Sequence, residues 1–151
     1  MKHYTSIEQS KKLAEILPIE SADMWYSERY AGNVTENGEY IVSDVPCYYL
    51  SLDKPSEYNC SLDLIKDIPC WSLSALLNAL PPSIPKYIKS ESCQKTFHLN
   101  LFRSHYYCCS YSFNPSISDN DGNNTLYCVG RDNWVDSCYE MIIKLNELKM
   151  L

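Results

Sequence analysis

TFHLNLFRSHYYCCSYSF, Thr96–Phe113, is the stretch that decides the fold. In Thr96–Arg103 the apolar residues Phe97, Leu99 and Leu101 alternate with Thr96, His98 and Asn100, the period-two pattern of a strand with one buried face. After a short connection, Tyr107, Cys109, Tyr111 and Phe113 share a face in the same way. A polar loop, Asn114–Asn124, contains Asp121-Gly122, and Thr125–Gly130 then reads as a further strand. These segments predict a three-stranded antiparallel meander.

Helical spacing flanks it. Trp134, Cys138, Met141, Ile142, Leu145 and Leu148 recur on one helix face, with Asp132 or Asn133 available as N-cap and Glu140–Lys144 as an outward i,i+4 pair. Upstream, Leu73, Leu76, Leu77 and Leu80 form one stripe of a helix opened within Pro69–Leu73 and stopped by Pro81-Pro82. The segment from Trp71 therefore reads helix, three strands, helix. Earlier still, Thr5-Ser6-Ile7-Glu8 fits a capping box with Thr5 as N-cap. It precedes a helix carrying Ile7, Leu13, Ala14, Ile16 and Leu17 and ending before Pro18. Glu20–Tyr26 reads as another helical turn or two. Asn37-Gly38 before Glu39–Val42 signals a hairpin, because both residues tolerate positive φ. Cys47–Leu52 suits a strand, and Asp53–Asp67 a loop. With no repeat and no linker, residues 1–151 are expected to form a single α+β domain.

Composition narrows the function. The chain has 151 residues, 45% hydrophobic and 21% charged, enough for a real core. Thirteen tyrosines suit half-buried sheet positions, where the ring packs and the hydroxyl stays solvated. A net charge of -6 speaks against general binding to phosphate backbones. Lys86, Lys89, Lys95 and Arg103, opposed only by Glu91, are the local exception, read first as a solvated connector and second as a basic patch. The helix–three strands–helix order matches double-stranded-RNA-binding domains, but the last helix opens with Asp132-Asn133-Trp134-Val135-Asp136, which is acidic where those domains are basic. MKHYTSIEQSKK has no apolar signal segment, and the uncharged run Pro69–Pro85 is broken by prolines at 69, 81, 82 and 85. A cytoplasmic protein without membrane association is expected, so the sequons at Asn33, Asn59 and Asn123 carry no meaning.

The eight cysteines, 47, 60, 70, 93, 108, 109, 128 and 138, contain no C-x-x-C, and His3, His98 and His105 form no H-x-x-x-H pair. No metal is expected, since structural zinc sites usually use such short chelating pairs. The thiols are expected to be reduced and packed as small apolar residues, with Cys108 and Cys109 on opposite strand faces. Thiol chemistry would fall to Cys93 or Cys108 with His98 or His105, but no orienting third group is evident. Ser118–Asn123 resembles a calcium loop, yet placing Gly122 sixth puts Ile117 first, where an oxygen ligand is needed. Four glycines supply no phosphate loop, and no cofactor is expected.

SIEQSKKLAEIL (Ser6–Leu17), SADMWY (Ser21–Tyr26), IPCWSLSALLNALP (Ile68–Pro81) and VDSCYEMIIKLNELKML (Val135–Leu151) form a combination. It resembles small uncharacterised proteins of Bacteroidales phages, prophages and related mobile elements. That resemblance implies a bacterial cytoplasmic setting and brings no activity, so no catalytic residue is carried over. The functional expectation is a non-enzymatic accessory protein that binds a protein partner. The alternatives are a thiol-dependent or small-molecule-binding enzyme, and an RNA- or DNA-binding domain using Lys86, Lys89, Lys95 and Arg103.

Overall fold

A computed structural model describes residues 2–34, 36–52, 67–88, 93–113 and 125–151, with the backbone alone at 29–34, 40–46, 86–88 and 93–94. The described elements run α1 (Ile7–Leu13), a 3-10 turn (Ile19–Ser21), β1 (Met24–Val34), β2 (Tyr40–Ser51), β3 (Asp67–Cys70) and α2 (Leu73–Ala79). β4 (Ser83–Ile88), β5 (Cys93–Arg103), β6 (Tyr107–Ser112), β7 (Thr125–Arg131) and α3 (Trp134–Glu147) follow. The class is α+β, with antiparallel sheets ordered β2-β1-β3 and β4-β5-β6-β7. The elements gather into two compact units, Ser6–Trp71 and Met1–Thr5 with Ser72–Leu151. No helix among the described residues is long and apolar enough to cross a membrane.

In the unit Ser6–Trp71, the capping box lies one residue later than expected. Ser6 Oγ accepts the Gln9 N–H at 3.3 Å and Gln9 Oε1 accepts the Ser6 N–H at 3.0 Å. Thr5 is fully buried, so Ser6 is left to cap. α1 ends at Leu13, and one more turn, closed by Leu17 N–H to the Leu13 carbonyl at 2.8 Å, brings Leu17 into the core beside the chain's stop at Pro18. The helical turns expected over Glu20–Tyr26 reduce to the 3-10 turn. Met24-Trp25-Tyr26 then start β1, as aromatic residues favour a pleated, half-buried surface. Gly38, at φ 81°, turns β1 back into β2. Cys47–Leu52 is therefore not a separate strand: its residues through Ser51 are the end of β2. β3 adds to the other side of β1, pairing Met24–Ser27 with Asp67–Cys70. Tyr26, Ile68 and Cys70 form a core with Ile7, Met24, Tyr48 and Leu50 against it. Buried Trp71 satisfies its indole by donating to Ser21 Oγ at 2.9 Å.

Pro69-Cys70 thus belongs to a strand rather than to the second helix, which Ser72 caps by accepting the Ala75 N–H at 3.3 Å. α2 buries Ala75 and Leu76, and Leu80 just beyond it, while Leu73 and Leu77 are half-buried. The expected meander is present as β5–β6–β7. β4, whose second half falls in the Lys86–Arg103 stretch read as a connector, extends it to four strands, one more than the RNA-binding order has. Residues 2–4 join this unit through a Lys2–Asp136 ion pair at 2.6 Å, Leu73 N–H to the His3 carbonyl at 3.1 Å, and a Tyr4–Ser72 bridge.

α3 is capped by Asn133, whose Oδ1 accepts the Asp136 N–H at 2.9 Å. It buries Val135, Ser137, Cys138, Met141, Ile142 and Leu145 completely and packs on β6 and β7. Half-buried Trp134 meets Tyr107 edge-on at 5.1 Å. Two expectations are corrected. Leu148 follows the helix end at Glu147 and is 37% exposed, off the buried stripe. Glu140 pairs with Arg131, Nε to Oε1 at 2.7 Å with a second guanidinium contact, rather than with Lys144. The segments 53–66 and 114–124, expected as loops, the latter with the calcium-like motif, lie outside the described residues, as do Cys60 and Lys89.

Candidate functional site

The four-stranded sheet has two chemically distinct faces and one unusual end. Register places Leu99, Leu101 and Arg103 of β5 opposite Tyr111, Cys109 and Tyr107, on the α3 side, and Phe97 meets Phe113 edge-on at 6.3 Å. His98, Asn100 and Phe102 lie on the other side with Cys108, Ser110, Ser112 and Cys128.

The end is the β5–β6 turn, closed by Ser104 N–H to the Tyr106 carbonyl at 3.0 Å. Leu101 is 40%, Phe102 46% and Tyr106 55% exposed there. The Arg103 guanidinium lies 4.9 Å from the Tyr107 ring centre, a cation–π contact that keeps the charge at the rim of the apolar group. No Asp or Glu occurs from Ser92 to Ser118, in a chain whose net charge is -6. The turn's own residues are therefore apolar, aromatic and cationic, while Asp132 follows Arg131, the β7 partner of Tyr107.

The α3 side holds a buried thiol pair. Cys109 and Cys138 are both fully buried and hydrogen-bonded to each other. That bond, with burial, pushes the Cys109 thiol up, and the same bond holds Cys138 below the usual thiol range. Burial pushes the neighbouring Tyr111 up as well, and its hydroxyl donates to the Pro81 carbonyl at 2.6 Å. On the opposite side the Asn100 amide donates to Ser112 Oγ at 2.6 Å, and the Cys108 thiol donates to the Tyr106 carbonyl at 3.7 Å.

No protein-family model, curated protein or solved structure matches the chain.

The residues singled out by sequence are not drawn into one site. Among them, Cys108 and His98 share a face of the sheet. Cys108 pairs with Phe102, four positions along β5 from His98, about 13 Å at strand spacing. His105 is exposed in the turn, and Cys108 donates elsewhere. Cys93 begins β5, with only its backbone described. Lys86 pairs in register with Lys95, whose ammonium lies 5.1 Å from the Phe113 ring centre. Arg103 sits eight positions further along β5, about 26 Å away, so it belongs to a different surface from Lys86 and Lys95. Among the described residues no group of three or more His, Cys, Asp or Glu could hold a metal ion. Leu101, Phe102, Tyr106 and Cys128 were missed as functional residues. The acid-free run around them was the available signal, but exposure of Leu101 depends on where α3 packs, which no strand pattern encodes.

Proposed function

We propose that this chain is a non-enzymatic accessory protein of a phage, prophage or related mobile element, working in the cytoplasm of a bacterial host by binding a protein partner. The observation that carries the binding role is the β5–β6 turn, where Phe102 and Tyr106 stay exposed on one face of the sheet and Leu101 stays exposed with Arg103 on the other. Aromatic residues and arginine are the side chains that most often dominate binding energy at interfaces. No Asp or Glu occurs in the run Ser92–Ser118, and Arg103 within it favours a partner segment that is apolar and carries a negative charge. The genomic setting rests on the sequence resemblance alone.

The test is affinity capture from a bacterial host extract, comparing the native chain with Phe102→Ser/Tyr106→Ser. Both residues are exposed, so the double variant should keep its melting temperature. A partner captured by the native chain and lost with the variant supports the reading. Equal capture by both removes the turn from the interface, and no specific partner removes the binding role.

A further inference from the structure

We propose that Cys108 and Cys128 form a two-thiolate site for a soft monovalent cation of the Cu(I) class, on the sheet face opposite α3. Cys108 pairs with Gly130 and Ser110 pairs with Cys128, so the two cysteines are diagonal neighbours across β6 and β7 on the same face. Diagonal neighbours on one face stand about 7–8 Å apart, with their Cβ atoms somewhat closer, a span that two sulfurs with a cation between them can bridge. The Cys108 thiol, 3.7 Å from the Tyr106 carbonyl to which it donates, lies on the same face as Cys128. Gly130 makes the room: a Cβ there would stand 3.3 Å from Cys108 Sγ and 3.2 Å from Tyr106 Cβ. Cys128 is exposed and Cys108 is 7% exposed, so a cation would arrive past Cys128 and settle against the sheet.

The ligand count selects the metal. Zinc is held by four ligands in structural sites, and no third His, Cys, Asp or Glu joins this pair among the described residues. Two thiolates without further donors suit a soft cation that accepts two-coordinate geometry. The binding step is an exchange: one cation displaces one proton from each thiol, giving an anionic dithiolate complex and two protons to solvent. Uptake should therefore weaken as pH falls.

The experiment titrates the fully reduced chain anaerobically with Cu(I) held by a chromogenic chelator. Native protein should withdraw about one equivalent at this site. Cys128→Ser, at an exposed position, should keep the native melting curve and lose affinity by more than the ~10–100-fold typical of removing an outer-shell partner. Cys108→Ser should do the same if it folds. Uptake that survives Cys128→Ser, that depends instead on Cys47, Cys60, Cys93 or the Cys109–Cys138 pair, or that is absent in the native chain overturns the proposal. Each result is independent of partner capture, so the protein-binding role can stand or fall separately.

Discussion

Tyr111 shows how one side chain serves both packing and polarity. Its ring is fully buried, and its hydroxyl is satisfied by the Pro81 carbonyl at the end of the second helix. Burial raises its folded-state value above the unfolded one, so it contributes stability in full below the unfolded value near 10. That contribution is lost as pH rises from there through the folded value. Denaturation curves should thus show stability falling with increasing pH in the alkaline range. Tyr111→Phe should cost about 1 kcal/mol at neutral pH through the lost hydrogen bond. It should also flatten the alkaline fall above pH 10, by up to about 1.4 kcal/mol per pH unit, the limit for one proton. Equal alkaline slopes in both proteins would show that Tyr111 ionises as freely folded as unfolded. At this scale the sequence was partly legible. Adjacent Cys108 and Cys109 had to face opposite ways on a strand. Their true neighbours, Cys128 and Cys138, depended on register and helix docking, which composition and spacing do not contain.

Among the elements, α3 was the most legible because its period persists over 14 residues and its buried face is apolar except for Ser137. Met141 and Leu145 are fully buried, so Met141→Ala or Leu145→Ala should each cost about 2–5 kcal/mol. Leu148→Ala should cost much less, because the side chain already meets water, and exposed Lys144→Ala should be nearly silent. Urea midpoints of the four variants would check this order. A native midpoint for Leu145→Ala would mean that the helix is not docked. Asn133→Ala should lose about 1 kcal/mol with the cap. β4 was illegible for the opposite reason: Pro85 interrupts six residues that hold only a weak alternation, and proline lowers any strand reading. The start of α1 was ambiguous by one residue, since Thr5-x-x-Glu8 and Ser6-x-x-Gln9 both fit the capping pattern. Burial of Thr5 is what decides between them.

For the molecule as a whole, an acidic chain with two separated cationic spots should give no salt-sensitive shift of duplex RNA or DNA at low ionic strength. A shift that weakens steeply with added salt would make the Lys86–Lys95 surface a nucleic-acid site after all. The proline that hid β4 has a further consequence. The Leu99 N–H bonds the Pro82 carbonyl, which makes Pro82–Leu99 a hydrogen-bonded pair and, by alternation, Pro85–Thr96 a non-hydrogen-bonded one. Pro85 therefore directs its nitrogen away from β5, toward the side of β4 where no described strand pairs. The ladder loses nothing, while the open rim lacks a donor near its middle. A foreign strand trying to zip onto the sheet meets a gap there, which is how natural sheets discourage runaway self-association. Pro85→Thr should leave the thermal transition of the protein almost unchanged and yet raise light scattering in concentrated samples. The residue least helpful for recognising the strand would then be the one that keeps separate molecules apart.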